Sequence, residues 1–342
     1  MPDFPCISNF GYLDSPDFFK LSLHIATVIC TPVYLLGVYC ILFKTPEAMK
    51  SVKWYLLILH FWAILLDYCV GLLGIPYTFF PEIAWIPYGI ARDLGIPTAA
   101  QNLIGIGIMS YMSISIVSIY ENRFFILCDF TWKKQWVMLR RVWLFLHYAA
   151  VPVCLIPVIF IIPDQNLARE HVFQNLPCLP DYLYKEPVFV LVTDYTYATF
   201  IGLTGIAFLV LEIFFFIYLI SQNARKQLKS QTISVATYQM QKNFLIALVI
   251  QTTIPFVTLI CPVIALCVIV IFDYQNQALI NFGILLLGSH GALATVVMLV
   301  VHRPYRLAVK GMIRCNKTSD VRRSSRTQPI NLRRKSTLAC VS

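Results

Sequence analysis

Seven long apolar stretches dominate the sequence, and none of its 27 lysine and arginine residues lies inside any of them. A helix of about 20 apolar residues is long enough to cross roughly 30 Å of hydrocarbon. The pattern therefore predicts an all-α membrane protein, a bundle of seven transmembrane helices. The predicted spans are 21–43, 54–75, 97–120, 142–162, 191–220, 244–271 and 277–301.

The basic residues alternate between the two ends of these spans. Connections 44–53, 121–141 and 221–243 and the segment from 302 onward carry 3, 5, 4 and 11 of them, whereas the opposite side carries 4. Because basic residues concentrate on the cytoplasmic side of membrane proteins, we expect an extracellular N-terminus and a cytoplasmic C-terminus.

The predicted organisation is an extracellular segment 1–20, a bundle 21–301 and a cytoplasmic tail 302–342. Within the tail, apolar and basic residues alternate at roughly helical spacing over 302–315, which predicts a short amphipathic helix lying along the membrane. Residues 316–342 are polar, basic and rich in serine and threonine, and such composition favours disorder.

Composition excludes several classes of protein. With 58% hydrophobic and 13% charged residues, the chain lacks the polar surface of a soluble domain. The net charge of +10 does not indicate nucleic-acid binding, because 11 of the basic residues lie in the tail. A basic tail beside a bilayer is explained more simply by anionic membrane lipid or by acidic partners.

Two of the 11 cysteines fall in the predicted extracellular segments, Cys6 and Cys178. Disulfides persist on the oxidising side of a membrane, so one interpretation is a bridge that pins the N-terminal segment to the second external loop. The alternative is two unrelated thiols.

Three tail residues are candidates for modification. Cys315 ends the amphipathic stretch and could carry a palmitate. Ser325 and Ser336 each follow paired basic residues, a pattern that basophilic kinases favour, and phosphorylation there would change the charge of the tail.

Ionisable residues inside a bilayer are costly and are therefore functional candidates. Asp67 lies near the middle of the second span and His290 midway along the seventh. For Asp67 we weigh a hydrated hinge or ion site against a structural hydrogen bond. For His290 a packed polar residue that bonds a neighbouring helix is at least as plausible.

Motifs of catalysis are absent from the sequence. It contains no HExxH, no GxSxG, no Walker loop and no histidine or cysteine spacing typical of a metal site. No span contains a lysine that could carry a retinal Schiff base. We therefore expect neither an enzyme nor a bound metal or cofactor.

The inner end of the third span reads Glu121-Asn122-Arg123. An arginine at this boundary can pair locally or turn toward a partner that docks from the cytosol, and both geometries suit a switch. The inner end of the seventh span is followed by a second polar block, His302-Arg303-Pro304-Tyr305-Arg306.

Several blocks in the spans and their inner ends resemble nematode chemosensory receptors of serpentine receptor class H. The blocks are Lys44 to Leu57, Leu59-His60-Phe61-Trp62, Asp67-Tyr68, Pro76-Tyr77, Phe79-Phe80-Pro81, Glu121 to Phe124, Asn243 to Leu248, Gln251 with Pro255, Ser289-His290-Gly291 and His302 to Arg306. The similarity runs in order from about 15 to 315.

This resemblance implies a seven-helix G-protein-coupled receptor that senses small environmental molecules from the plasma membrane of sensory cilia. By the same analogy, Glu121, Asn122 and Arg123 stand where rhodopsin-like receptors carry their acid–arginine switch. The block His302 to Arg306 stands where those receptors carry an Asn-Pro-x-x-Tyr motif. Two departures are the lack of the usual asparagine in the first span and of an external cysteine in the third, so a Cys6–Cys178 bridge would replace the usual one.

The expected mechanism is a shift between two conformations, in which a ligand bound between spans three, five, six and seven favours an open cytoplasmic face. A heterotrimeric G protein would dock on the basic inner loops. The predicted pocket residues are Tyr111, Met112, Tyr195, Tyr197, Phe200 and Phe256. The competing class is a ligand-gated channel or a small-molecule transporter, which the orientation and the lack of an internal repeat disfavour.

Overall fold

The computed structural model describes residues 10–80, 82–176, 179–193, 196–271 and 276–313, without the side chains of 48, 198, 199 and 259–271. The predicted disulfide Cys6–Cys178, the pocket residue Tyr195, the modification candidates Cys315, Ser325 and Ser336, and the segment 316–342 lie outside the described residues.

Seven helical spans make up the bundle, as predicted. They are Pro16–Phe43, Lys50–Tyr68 with its continuation Cys69–Gly74, Thr98–Leu127, Lys133–Phe160, Thr196–Lys229, Val235–Ile271, and the pair Gln277–Leu287 and His290–Val301. Among the described residues, five helices are long and apolar enough to cross a membrane, and the pair in span seven makes a sixth. Span six, Val235–Ile271, contains the predicted apolar stretch 244–271. The side chains of its last part, 259–271, are not described. A helix over 303–313 follows span seven, in agreement with the predicted amphipathic helix.

Span one begins where the sequence places a helix start. The Ser15 side chain accepts a hydrogen bond from the backbone N–H of Phe18, and Pro16 occupies the first helical position. A serine cap satisfies a backbone donor that the helix cannot, and proline loses nothing there.

Span two ends in an irregular turn. Its last six residues, Cys69–Gly74, form a π-helix, and Ile75 adopts a left-handed conformation with φ 41°. Gly89 lies against this turn so closely that a Cβ atom there would be 2.1 Å from the carbonyl oxygen of Leu73. Only glycine permits that approach of two backbones.

The end of the bundle at which span two finishes, which we call the outer end after the predicted orientation, carries a small sheet that the sequence did not predict. The strands β1 (Pro76–Phe79), β2 (Ala84–Pro87) and β3 (Phe189–Val190) pair antiparallel in the order β1-β2-β3. An outer helix, Gln165–Asn175, docks on it. The Gln165 side chain both donates to the Val190 carbonyl and accepts from its N–H, each at 3.0 Å. The connection after span two and the connection after span four are thus joined into one layer.

The segment directly before span one is bonded to the same layer. The Asp14 carboxylate accepts from the N–H of Ala278 at 2.8 Å, and the Asn281 amide donates to the Leu13 carbonyl at 2.9 Å. The Tyr77 hydroxyl donates to the Asp14 carbonyl at 2.5 Å. These bonds hold the segment before span one against β1 and the start of span seven.

Span seven is broken. Its halves Gln277–Leu287 and His290–Val301 meet at 48°. Where the second half begins, Gly291 packs so closely on span two that a Cβ atom would lie 2.8 Å from Asp67 Oδ2 and 3.0 Å from the Ala63 carbonyl oxygen. Small residues allow membrane helices to approach in this way.

Packing is uneven around the bundle. In the most apolar 18 residues of each span, the buried share is 56% for span three and 44% for span two. The same share is only 11% in spans four and five. The core therefore lies among spans one, two, three and seven, and spans four and five present apolar side chains outward. Such faces suit a hydrocarbon solvent.

Candidate functional site

The residues of the Glu121-Asn122-Arg123 block are all buried, at 3%, 5% and 5% exposure. They lie at the inner end of span three, each facing a different neighbour. The block is therefore a junction between helices and not a solvated span end.

Glu121 pairs with span four. Its Oε2 accepts from Arg140 Nη2 at 2.7 Å, and its Oε1 accepts from the indole of Trp136 at 2.8 Å. Among the described residues Arg123 forms no ion pair with it. Of the two geometries expected for the arginine, local pairing with the acid is thus not the one observed.

Asn122 binds span two. Its side-chain amide donates to the carbonyl oxygen of Ser51 at 3.1 Å. Arg140 Nη2 lies 3.4 Å from its Oδ1 and 3.3 Å from the Tyr55 hydroxyl. Spans two, three and four are therefore joined by one polar network.

Arg123 faces span six. Its guanidinium carbon lies 3.7 Å from the centre of the Phe244 ring, a distance typical of a cation–π contact. Its Nε and Nη2 are buried and have no hydrogen-bond partner among the described residues. A buried guanidinium in this state is costly, and an anion could relieve that cost.

The block after span seven closes the same inner end. His302 Nε2 lies 3.2 Å from the Gln251 side-chain oxygen on span six, and the Tyr305 hydroxyl lies 2.9 Å from Thr45 Oγ1 after span one. Arg306 donates to the Val300 carbonyl at 2.9 Å. Arg303 and Arg306 are exposed, and Pro304 is half-buried at the start of the helix 303–313.

Burial, together with the nearby Arg123 guanidinium, lowers the pKa of His302 to about 4. His302, which follows the last residue of span seven, is therefore neutral at physiological pH. A neutral imidazole adds no positive charge beside Arg123 and keeps one N–H to donate to Gln251.

Asp67 caps the broken seventh span. Its Oδ2 accepts from the Tyr34 hydroxyl and from the N–H groups of Gly291, at 2.9 Å, and Ala292, at 3.3 Å. A carboxylate at a helix N-terminus is favoured by the helix dipole and by the free N–H groups there. Of the two roles weighed for Asp67, the structure shows the hydrogen bonds; a hinge or ion site stays a prediction.

His290 lies beside the carboxylate. Its Nδ1 is 2.6 Å from Asp67 Oδ1 and 2.8 Å from the Leu287 carbonyl oxygen. Its Nε2 lies 3.2 Å from the sulfur of Met112 on span three. The imidazole thus packs spans two, three and seven together.

A cavity adjoins this cluster between spans two, three, six and seven. The cavity has a volume of about 20 Å³, which holds about one water. It is lined by Leu59, His60, Ala63, Met112, Ile116, Gln251, Thr252, Pro255, His290, Gly291, Ala294, Thr295 and Met298.

The predicted pocket residues do not converge. Met112 lines the cavity, whereas Tyr111 stacks on Tyr148 of span four, with ring centres 5.4 Å apart. Phe200 and Phe256 are 64% and 49% exposed on the sides of spans five and six. Tyr197 packs against the apolar cluster beneath the outer sheet.

Sequence reasoning missed the role of span four. Trp136, Arg140, Trp143 and His147 follow one another at steps of four, three and four, which places them on one helical face. That face carries both contacts to Glu121, and His147 Nε2 lies 2.9 Å from Glu212 of span five. The spacing was the available signal.

No group of three or more histidine, cysteine, aspartate or glutamate side chains that could hold a metal occurs in the part of the chain that the structure describes. The arrangement binds helices to one another and, within the described ranges, leaves the buried Arg123 without an anion. Its chemistry suits a conformational switch.

Comparison with known proteins identifies the family of the chain. Residues 14–315 match the model of the family described as serpentine type 7TM GPCR chemoreceptor Srh. Serpentine receptor class H-72 of Caenorhabditis elegans is 27% identical over 321 residues, which cover 92% of this chain and 91% of that protein. The chain is a multi-pass membrane protein and belongs to the Srh family of seven-transmembrane serpentine chemoreceptors.

Proposed function

We propose that the protein is a G-protein-coupled receptor that detects small environmental molecules and signals through a heterotrimeric G protein. The observation that carries the proposal is Arg123, a buried guanidinium covered by Phe244 and lacking partners for two of its nitrogens among the described residues. The family to which the chain belongs is one of chemoreceptors, which supports the sensory part of the proposal.

In this proposal span six is the gate that controls access to the Arg123 guanidinium, because the Phe244 ring covers it. If the inner end of span six moves away, the ring leaves and the guanidinium becomes accessible to an anionic group of a docked partner. Such a partner would stabilise the open conformation by binding it and not the closed one. Arg123 would then be the residue that contacts the G protein and couples its binding to the open conformation.

Two polar contacts hold span six closed. The Gln251 side chain lies against His302, and Thr252 Oγ1 lies 2.8 Å from the Tyr120 hydroxyl. Both lie within four residues of Pro255, where a helix lacks a backbone hydrogen bond and bends readily. The inner half of span six would pivot near this proline.

Ligand binding would act through the cavity beside Met112 and Pro255. With room for about one water it is much smaller than the 300 Å³ or more typical of ligand sites. A ligand that enters must therefore widen the space among spans two, three, six and seven, and widening favours a conformation with span six displaced.

The expected orientation places Arg123 and the exposed basic residues at the ends of spans four and five in the cytoplasm. Those residues are Lys134, Arg225, Lys226 and Lys229, and they would attract an acidic face of the G protein. The location we propose is the plasma membrane of sensory cilia.

The test is a second-messenger assay in cells that co-express the receptor with a panel of Gα subunits. Basal cAMP, cGMP and calcium are recorded first, and then responses to a panel of volatile and water-soluble organic molecules. Arg123→Ala should abolish signalling at unchanged surface expression. Signalling that persists in Arg123→Ala would refute the switch, and ion current without a G protein would indicate a channel.

A further inference from the structure

A second cavity opens at the inner end of the bundle between spans two, three and four. Its volume of about 300 Å³ is fifteen times that of the cavity beside Met112. Tyr55, Glu121, Phe125, Arg140 and Arg141 lie in its wall. We call this cavity the inner cleft.

The inner cleft carries a net positive charge. Two arginines line it, and Glu121 supplies the single negative charge among its lining residues. That carboxylate is already bonded to Arg140 and Trp136. Arg141 forms no ion pair among the described residues and is exposed, so the cleft offers a cation to an incoming anion.

Donors remain on the partly engaged residues as well. The hydrogen bonds of Arg140 to Glu121, Asn122 and Tyr55 all leave from Nη2, and a guanidinium has five N–H groups. The Tyr55 hydroxyl accepts from Arg140 and keeps its own proton for another acceptor. A group with several acceptor oxygens, such as a phosphate, would match this set.

A stripe of exposed side chains lies beside the cleft, on the face of span four that points out of the bundle. Val137, Arg141 and Phe145 are spaced by four residues along span four and so form one stripe. Val137 is 45% and Phe145 69% exposed. A charged side chain between two exposed apolar ones matches a phospholipid, whose phosphate lies at the end of the span and whose acyl chain runs along it.

We propose that the inner cleft binds an anionic phospholipid, with its phosphate between Arg140 and Arg141 and its acyl chain against Phe145. The lipid comes from the leaflet at the basic end of the bundle, which is the cytoplasmic one in the proposed orientation. Its phosphate adds a second anion to Arg140 and so holds the side chain where it bonds Glu121.

Binding is tested on the purified full-length protein by native mass spectrometry with dioleoyl phosphatidylserine, with the phosphatidylcholine as the neutral comparison. Arg141→Gln should weaken the phosphatidylserine affinity about tenfold, because one charge-assisted bond is lost. Lys134→Gln is the matched control, since Lys134 is exposed on the same helix and does not line the cleft. It should bind as the wild type does.

The position of a photochemical label distinguishes lipid bound in the inner cleft from lipid bound by the basic tail. A photoactivatable phosphatidylserine should label peptides that contain 137–145 in the wild type and lose that label in Arg141→Gln. Labelling confined to 302–342, or equal affinity in Arg141→Gln and wild type, would overturn the proposal.

Free inorganic phosphate is the other ligand that could supply acceptor oxygens to the inner cleft. Inorganic phosphate in detergent should fail to compete with the lipid, because it cannot use the Phe145 stripe; full competition would overturn the lipid assignment. None of these measurements involves a G protein, so their failure and that of the receptor function are distinguishable.

Discussion

The guanidinium of Arg123 lies 3.7 Å from the ring centre of Phe244, whereas Glu121, two residues earlier, bonds Arg140 at 2.7 Å. The acidic and the basic residue of this one short block thus contact different helices. Glu121 fixes span three to span four, and Arg123 rests against span six. A change at span six can therefore reach Arg123 without breaking the contact to span four.

Phe244→Leu should raise basal signalling, because it removes the aromatic face over Arg123 while keeping an apolar side chain of similar size. A cation–π contact of this kind contributes on the order of 1 kcal/mol, which corresponds to about a fivefold change in the ratio of open to closed conformations. The readout is basal second messenger per receptor at the cell surface. Phe256→Leu, on the exposed side of the same helix, is the control, and unchanged basal signalling in Phe244→Leu would count against the gate.

Glu121→Gln and Arg140→Gln should each lower the unfolding temperature of the detergent-solubilised protein. Removing one partner leaves the other as a buried charge, which costs about 3–5 kcal/mol in fully buried pairs. The cost here should be at the lower end because the Arg140 side chain is 18% exposed. The double variant should recover part of the loss, since no unpaired charge remains. Strictly additive losses would show that the two side chains are not coupled.

Gly291→Ala should destabilise the junction of spans two and seven. Its Cβ would lie 2.8 Å from Asp67 Oδ2 and 3.0 Å from the Ala63 carbonyl oxygen, and overpacking of this kind costs about 1–3 kcal/mol. Thermal unfolding in detergent measures the effect. Gly105→Ala in span three is the matched control, because nothing lies within 4 Å of the Cβ position there. Equal unfolding temperatures for the two variants would contradict the packing described.

An epitope tag at the N-terminus should be accessible on intact cells, and one at the C-terminus only after permeabilisation. The reason is the excess of basic residues at one end of the bundle. Antibody staining of tagged receptor measures both. The reverse pattern would invert the orientation and place Arg123 outside, where no G protein could reach it.

Cys6 and Cys178 should resist a thiol-reactive label on the surface of unreduced cells and react after mild reduction. Both cysteines fall on the predicted oxidising side, where disulfides persist. Mass spectrometry of labelled peptides reads the two sites separately. Labelling of both cysteines before reduction would leave them as unrelated thiols.

The sequence predicts the spans well and their contacts poorly, and the reason is physical. Burial in lipid requires about 20 apolar residues whatever the neighbouring helix is, so a stretch such as 97–120 is visible without knowledge of its partners. Which helix faces which depends on side-chain packing at particular positions. The pairing of Glu121 with Arg140, 19 residues away across a turn, follows from that packing.

The outer sheet was missed for a related reason. Its strands are two to four residues long, too short for an alternating pattern to be legible. Pro76 and Pro87 at its ends also read as turn residues. What holds β3 is the distant Gln165, whose amide pairs with Val190 in both directions. The break in span seven was likewise missed: the stretch 277–301 contains no proline, and the available signal was Gly288-Ser289, a pair at which helices kink.

The uneven packing of the bundle has a consequence for how sequences of this kind diversify. Gly37 faces Thr295 and His60, and Gly291 faces Asp67, so closely that neither glycine can gain a methyl group unless a neighbour moves. Substitutions among spans one, two and seven must therefore occur in compensating pairs. Spans four and five, which are mostly unburied, can change one residue at a time. The outward faces of spans four and five can accordingly diverge residue by residue, while the close glycine contacts of spans one, two and seven are inherited almost as a unit.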